Sequence, residues 1–225
     1  DFFVESLEKW REALGIERFY LGGHSFGGYI GAHYAMRHPS RVKKLLMLSP
    51  VGVTKHEEVF VKEDARKKTH ILVRPLFDVY MKFWDEQMTF TSISQNSPML
   101  FDFLLKRFVS GRFGLPKEVA TPIYEYLGET FKLPESSEKA LHYILSPARL
   151  RARLPLEDLM LKYLTVPTVV YYGDHDWMDP VGAYRIARDH KKPNFEVRVV
   201  KNAGHQLIIE NPEEVVKNIL FDLAE

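Results

Sequence analysis

The stretch Gly23-His24-Ser25-Phe26-Gly27 decides the fold of this chain. A short apolar run, Phe19-Tyr20-Leu21, precedes it, and residues 28–35, which are mostly small or apolar, favour a helix after it. A strand that turns sharply into a helix has no room for side chains on either side of the turn. We therefore expect both glycines of the stretch to lie where a Cβ atom would collide, and the serine to hold a strained backbone with an exposed hydroxyl.

The serine at this turn is a candidate nucleophile. The helix after it directs its N-terminal N–H groups at a carbonyl bound at Ser25, so the Phe26 amide is placed to donate a hydrogen bond to an oxyanion. A glycine- and serine-containing turn that matches by chance is the alternative. The strand before the turn and the helix after it argue against that alternative.

The composition is that of an ordinary globular protein. The chain has 225 residues, of which 45% are hydrophobic and 27% are charged. A net charge of +1 without a basic stripe argues against nucleic acid as the main partner. The sequence has no cysteine, which excludes disulfides and thiolate chemistry, and it has no apolar run long enough to span a bilayer and no signal-peptide pattern at its start.

The order of the patterns predicts a mostly parallel sheet that a helical segment interrupts. Strands are expected at 17–21, 42–48, 166–172 and 195–200, and helices at 26–38, at 180–190 and from Pro212 onward. Residues 54–160 carry helical patterns without a convincing strand. The chain is therefore assigned to the α/β class, with core segments 1–53 and 161–225 and an inserted helical cap at 54–160.

Apolar spacing predicts which helix faces are buried. The expected faces are Phe3, Leu7, Trp10 and Leu14 in the first helix, and Leu76, Tyr80 and Phe83, then Leu100, Leu104 and Phe108, then Val119, Ile123, Leu127 and Phe131 in the cap. Ser136 is expected to cap a helix that carries Ala140, Leu141, Ile144 and Leu145.

An acidic loop and a histidine follow the last two strands, where open α/β sheets place their sites. An imidazole can take the proton of a serine hydroxyl near neutral pH, and a carboxylate fixes the imidazole's tautomer, so Ser25, an acid and His205 form a candidate catalytic set in that chain order. Asp176 has the favoured spacing after the strand, and Asp179 is the alternative acid, although before Pro180 it also suits a helix N-terminus.

A metal site at Asp174-His175-Asp176 is the weaker interpretation of the same loop, because no second ligand cluster accompanies it. We therefore expect no metal and no cofactor. The carboxylates that do not serve as the acid are expected to cap the following helix.

Five stretches together resemble one subfamily of the α/β-hydrolases. They are Gly23–Tyr29 (GHSFGGY), His38–Val42 (HPSRV), Leu48–Gly52 (LSPVG), Ser137–Ala140 (SEKA) and Tyr172–Asp179 (YGDHDWMD). The subfamily comprises cardiolipin-specific deacylases, N-acylphosphatidylethanolamine lipases and lysophosphatidic acid acyltransferases that also act as lipase co-activators. The resemblance covers nearly the whole chain. It implies the α/β-hydrolase fold and acyl-ester or acyl-amide chemistry on phospholipids, with Ser25, Asp176 and His205 as the triad.

The chain departs from this subfamily in two respects. The subfamily carries a His-x4-Asp acyltransferase signature, whereas this chain has His205 followed by Glu210, which leaves transferase activity open. An acid at position 210 also suits the N-terminus of a helix that begins near Pro212. In addition, only 24 residues precede Ser25, so we expect the N-terminal strands of the fold to be missing and the strand before Ser25 to form an exposed edge.

The resemblance implies a serine lipase or deacylase of phospholipids, with or without acyl transfer to a lysophospholipid. The alternatives are a non-catalytic lipid-binding or lipase-activating scaffold and a small-molecule esterase or peptidase of the same fold. The intact Ser25 favours the enzyme. The expected partner is a phospholipid or another acyl lipid at a membrane or lipid-droplet surface. The expected location is inside the cell, soluble or peripheral to a membrane, in the cytoplasm, on a lipid droplet or in the mitochondrion.

One segment of the cap is a candidate for contact with lipid headgroups. Basic residues alternate there with apolar ones: Lys62, Arg66, Lys67, Lys68 and Arg74 among Val59, Phe60, Val61, Ile71, Leu72 and Val73. The basic side chains would attract anionic lipid while the apolar side chains insert. An ordinary solvated helix face is the alternative.

Overall fold

A computed structural model describes residues 1–56, 61–113, 117–147, 151–189, 192 and 194–224, with the backbone alone at 108 and 110–113. In chain order the helices are α1 (Phe2–Ala13), α2 (Phe26–Arg37), α3 (Lys62–Lys68), α4 (Arg74–Asp85), α5 (Phe90–Asn96), α6 (Pro98–Phe113), α7 (Lys117–Thr130), α8 (Ala140–Ile144), α9 (Leu156–Tyr163), α10 (Val181–Ala187), α11 (Leu207–Glu210) and α12 (Pro212–Ala224). The strands are β1 (Phe19–His24), β2 (Val42–Leu48), β3 (Thr168–Gly173) and β4 (Phe195–Val200). None of the helices described is both long and apolar enough to cross a membrane.

The four strands form one parallel sheet in the order β1-β2-β3-β4. The bounds expected for β2 and β4 are confirmed, and β1 and β3 begin two residues later than expected. Within the described part of the chain, β1 is an edge strand, as expected, and none of its residues is buried, whereas every residue of β3 is buried. Because the strands are parallel, their carboxyl ends lie along one edge of the sheet, where His24 pairs with Leu48 and Gly173 with Val200.

One face of the sheet carries a continuous apolar core. Its buried members are Leu46, Leu48, Val169, Tyr171, Val200, Ala203, Leu207 and Val215, against which Ile219 and Leu223 of α12 pack. Removing apolar side chains from water on this scale is the main stabilising contribution to such a sheet. Because the core includes Ala203 and Leu207, which follow β4, it extends to the end of the sheet where the candidate site lies.

The first helix buries only part of the expected face. Phe3 and Leu7 are half-buried, but Trp10 and Leu14 are exposed, and the fully buried residues are Val4 and Arg11. The Arg11 guanidinium donates to both carboxylate oxygens of Glu8, and this hydrogen bond lowers the pKa of Glu8 to about 2. The helix therefore packs through an ion pair, which apolar spacing does not reveal.

The chain divides into two compact units, Asp1–Glu57 with Leu154–Glu225, and Glu58–Arg153. The first contains the sheet, and the second contains α3 to α8. In the second unit the one pairing of extended segments among the described residues is an isolated bridge between Leu145 and Ala152. The role of residues 54–160 as a cap stays a prediction.

The helical unit has its own apolar cluster, built mainly from α5, α6 and α7. Its buried members are Ile93, Phe101, Leu105 and Val109, and Leu104, Ile123, Leu127 and Phe131 pack against them, as expected for those four. The face expected for α4 is wrong: Leu76 and Tyr80 are exposed, and Met81 is the buried residue of that helix. The side chain of Phe108 lies outside the described residues. Ser136 makes no side-chain hydrogen bond as a cap.

Two of the basic residues in the candidate lipid-contact segment, Lys62 and Arg66, pair with neighbouring acids. Lys62 Nζ lies 2.5 Å from a carboxylate oxygen of Asp85, and Arg66 donates two hydrogen bonds to Asp78, at 2.7 and 2.9 Å. Residues 59 and 60 of the expected segment lie outside the described residues. The positive charge available to anionic lipid is therefore smaller than the sequence suggested.

Candidate active site

The turn between β1 and α2 holds Ser25 in a strained backbone conformation, as expected. Its φ of 53° is in the left-handed region, which residues other than glycine rarely adopt. The Ser25 N–H donates to the carbonyl of Leu48 at 2.9 Å, and its own carbonyl accepts from the amide of Val51 at 3.2 Å. These bonds tie the turn to the end of the neighbouring strand.

The two glycines of the Gly23–Gly27 stretch differ in their surroundings. A Cβ atom on Gly23 would lie 2.4 Å from the carbonyl oxygen of Gly27, a distance at which the backbone must move. The collision expected at Gly27 is absent, because a Cβ there would meet nothing within 4 Å. Beside Gly23, the crowded glycine of this turn is Gly28, where a Cβ would lie 3.0 Å from the Cβ of Pro50.

The loop after β4 brings an imidazole to the serine. Nε2 of His205 lies 3.0 Å from Oγ of Ser25, and Nδ1 of His205 lies 3.3 Å from Oδ1 of Asp176. With its proton on Nδ1, facing the carboxylate, the ring offers Nε2 as an acceptor for the Ser25 hydroxyl. The side chains of Asp176 and His205 are only 2% and 11% exposed. Little water competes for these bonds.

Asp176 is ionised in this environment despite its burial. Burial opposes ionisation, but the His205 ring, the Ser49 hydroxyl and the Met178 amide together outweigh it and hold the pKa of Asp176 below its ordinary value. The Met178 amide donates to Oδ1 at 3.0 Å. Among the described residues, Oδ2 of Asp176 and the buried Ser49 hydroxyl make no hydrogen bond of standard geometry. A carboxylate that stays charged can fix the tautomer of His205 and stabilise its protonated form.

The other two acids of the same loop lie elsewhere. Asp179, the alternative acid, accepts from the amide of Val181 at 3.0 Å and so lies at the start of α10 rather than beside His205. Asp174 was expected to cap that helix, but it accepts from the backbone amides of Asn202 and Ala203, at 3.0 and 3.2 Å. No group of three histidines and acids suited to a metal ion occurs in the described part of the chain.

Phe26 is the first residue of α2, so its N–H has no acceptor within the helix. It directly follows Ser25 in the chain. The expected role of this N–H as a donor to an oxyanion stays a prediction.

Two further residues contact the segment around His205: His24, which was not a candidate from the sequence, and Glu210, which was a candidate only as part of the transferase signature. Nε2 of His24 donates to the carbonyl of His205 at 2.8 Å, and the two imidazole rings lie 4.9 Å apart. Glu210, expected to favour a helix N-terminus, accepts instead from the amides of Gly204 and Gln206, at 2.7 and 3.0 Å. The one sequence signal for this contact is the spacing between His205 and Glu210, which resembles the transferase signature.

Comparisons with known proteins agree with this geometry at the level of the fold. A family model described as the alpha/beta hydrolase fold matches residues 1–212. A probable 1-acylglycerol-3-phosphate O-acyltransferase of Oryza sativa subsp. japonica is 31% identical over 221 residues, which are 94% of this chain and 51% of that protein. This chain thus spans about half the length of the rice protein.

Two solved structures share the fold. Carboxylesterase CesB from Bacillus subtilis has a TM-score of 0.60 at 22% identity, over 97% of this chain and 64% of that one. A membrane phospholipase A described as a novel bacterial virulence factor has a TM-score of 0.55 at 26% identity, over 98% of this chain and 61% of that one.

Proposed function

The chain belongs to the α/β hydrolase fold family, and on that premise we propose that it is a serine-dependent acyl hydrolase that deacylates phospholipids or related acyl lipids. The observation that carries the proposal is the continuous contact from Ser25 through His205 to Asp176, at 3.0 and 3.3 Å. A non-catalytic scaffold has no need for a strained serine, an oriented imidazole and an ionised carboxylate in this order.

The proposed reaction proceeds in two steps through an acyl-enzyme. Oγ of Ser25 attacks the acyl carbonyl while Nε2 of His205 takes its proton, and the Phe26 N–H donates to the oxyanion. The protonated imidazole then gives that proton to the leaving oxygen or nitrogen as the bond to the acyl carbon breaks. In the second step His205 deprotonates a water molecule, which attacks the acyl-enzyme, and the proton returns to Ser25 as the fatty acid leaves. Asp176 stays charged throughout.

The lipid class of the substrate is inferred from the relatives. The rice relative is named a probable 1-acylglycerol-3-phosphate O-acyltransferase, and one structural relative is a membrane phospholipase A. The name of the rice protein favours a second candidate activity, in which the hydroxyl of a lysophospholipid replaces water in the second step. Both activities use the same acyl-enzyme, so they share one nucleophile.

Replacing Ser25 by alanine tests both activities at once. We expect Ser25→Ala to abolish labelling by a fluorophosphonate probe and to lower acyl release and acyl transfer by about 10⁴- to 10⁶-fold, because no other group can form the acyl-enzyme. Labelling and mass-spectrometric lipid analysis measure this. Ser40→Ala removes the same hydroxyl from an exposed position and is expected to change nothing. Equal labelling of wild type and Ser25→Ala would contradict the proposal.

We also propose that the helical unit contacts a lipid surface, that of a membrane or lipid droplet inside the cell, through an exposed apolar segment. This segment comprises the 3₁₀ turn Ile71–Val73 and the side chain of Leu76. Leu72 is 82% exposed and Leu76 is 69% exposed. Since Lys62 and Arg66 are paired with acids, insertion of apolar side chains, rather than attraction between charges, is expected to dominate the binding.

Replacing apolar residues of this segment tests the contact. Burying a leucine or isoleucine side chain is worth about 1.5–3 kcal/mol, so the double variant Ile71→Asp, Leu72→Asp is expected to weaken binding to phospholipid vesicles at least tenfold. Hydrolysis of a soluble short-chain ester should persist. Met99→Asp alters another highly exposed apolar residue of the helical unit and serves as the matched control. An equal loss in the control, or unchanged binding in the double variant, would contradict this contact.

A further inference from the structure

We propose that Glu210 is a positioning residue for His205, with one carboxylate holding the backbone on both sides of the catalytic imidazole. The inference rests on the proposed function, since it assigns a role within that reaction. Oε2 of Glu210 accepts from the amide of Gly204 at 2.7 Å, and Oε1 accepts from the amide of Gln206 at 3.0 Å. The residue between these two amides is His205.

The need for such a side chain follows from the local backbone. Residues 201–206 lie between β4 and α11 and belong to no ladder or helix, so their amides require other acceptors. Asp174 accepts from the amides of Asn202 and Ala203, and Glu210 accepts from the amides of Gly204 and Gln206. Side-chain carboxylates thus replace the regular hydrogen bonds that a strand would supply.

A third contact holds the main chain of His205 itself. Its carbonyl accepts from Nε2 of His24, the residue immediately before Ser25. Burial lowers the pKa of His24, which keeps its ring neutral and leaves one nitrogen with a hydrogen to donate. The backbone of His205 is therefore tied on one side to Glu210 and on the other to the turn that carries the nucleophile.

No similar side chain can replace the Glu210 carboxylate without weakening these two hydrogen bonds. Two N–H donors need two acceptor oxygens, and glutamine offers one oxygen and one N–H₂ group, which repels the second amide. Gly204 leaves the space that Glu210 occupies, since a Cβ at position 204 would lie 3.1 Å from Oε2. Aspartate supplies two oxygens on a side chain shorter by one methylene, so it reaches the amides less well.

A displaced imidazole should harm one half of the acylation step more than the other. His205 must take the proton of Ser25 and then give it to the leaving group. 4-Nitrophenolate leaves without much help from an acid, whereas the alkoxide of an alkyl ester must be protonated as it leaves. A loss of positioning should therefore be larger for the alkyl ester. A smaller fraction of folded protein would lower the rates on both esters equally.

The test compares ethyl butyrate with 4-nitrophenyl butyrate in Glu210→Gln. We expect kcat/KM to fall about 100-fold on the ethyl ester and about tenfold on the nitrophenyl ester, since small misplacements of a catalytic group cost up to about 10² in rate. Glu210→Asp should show the same selective loss to a smaller degree. Glu214→Gln is the matched control, because Glu214 bonds to the amide of Lys201, farther from the histidine, and both esters should stay within twofold of wild type.

Amide hydrogen exchange provides a readout that does not depend on turnover. In the wild type, the amides of Gly204 and Gln206 should exchange slowly, and in Glu210→Gln at least tenfold faster, while the amides held by Asp174 keep their rates. Equal losses on the two esters, or unchanged exchange at these two amides, would overturn the positioning role and leave the proposed function intact. A wild-type protein that hydrolyses neither ester and fails to label would instead overturn the proposed function, and exchange would still decide whether Glu210 holds this segment.

Discussion

The nucleophile turn and the histidine loop are held in place by different means. The turn around Ser25 depends on main-chain geometry: a strained φ, a glycine pressed against backbone at 2.4 Å, and hydrogen bonds between backbone groups. The loop around His205 depends on side chains that reach it from three other positions, namely Asp174, Glu210 and His24. Tolerance to substitution should therefore be set by steric fit in the turn and by hydrogen-bond chemistry in the loop.

Among the variants that test the loop, the largest effect should come from the carboxylate that contacts the imidazole. Asp176→Asn keeps the shape of the side chain but favours the wrong tautomer of His205, so we expect a loss of about 10⁴ in kcat with little change in folding. Steady-state kinetics on a soluble ester measures the loss, and thermal unfolding checks the fold.

Asp179→Asn is the matched control for this change, since it alters the same kind of side chain three residues away. Asp179 bonds to the amide of Val181 at the start of α10, so the expected cost is about 1 kcal/mol of unfolding free energy and no more than a small change in rate. If Asp179→Asn is the inactive variant, the acid has been assigned to the wrong residue.

Two glycine substitutions test the turn, where steric fit should decide whether the protein tolerates the change. Gly23→Ala places a methyl group 2.4 Å from the carbonyl of Gly27 and is expected to destabilise the protein by about 3 kcal/mol or more, with loss of fluorophosphonate labelling. Gly27→Ala adds the same atom in open space within α2. It should leave labelling intact and stabilise the helix by up to about 1 kcal/mol.

Chemical denaturation of the two glycine variants side by side measures the difference. Equal destabilisation would mean that both glycines are required by the turn, as the sequence motif alone suggests. A tolerated Gly23→Ala would mean that the backbone of the turn relaxes, and the comparison between turn and loop would then lose its basis.

The sequence predicted best the features that arise from local pattern. Stretches rich in apolar residues marked the bounds of β2 and β4, and the chain order Ser, Asp, His predicted the contact between Ser25 and His205. The acid at position 176 was favoured by spacing after the strand, and it lies beside the imidazole.

The contacts that sequence analysis missed are of two kinds: those between residues far apart in the chain, and those between a side chain and backbone groups. His24 donates to a carbonyl 181 positions away, and Glu210 accepts from two amides, contacts that no periodicity encodes. In α1 the exposure of Trp10 and Leu14 was not predicted, because the buried residue Arg11 pairs there with Glu8, whose side chain is 12% exposed. For α4, helical spacing grouped the apolar residues on one face, but Leu76 and Tyr80 of that face are exposed rather than part of a core.

The pairing of β1 links the nucleophile to whatever lies beyond this edge of the sheet. Among the described residues β1 bonds to β2, and the N–H and C=O groups along its other side can pair with a further strand. The same strand ends at Ser25, whose dihedral angles set the direction of the hydroxyl. A strand that pairs along this edge, from the same polypeptide or from another molecule, would lie along the segment that fixes those angles, so strand addition there and the reactivity of the serine are physically coupled through six residues.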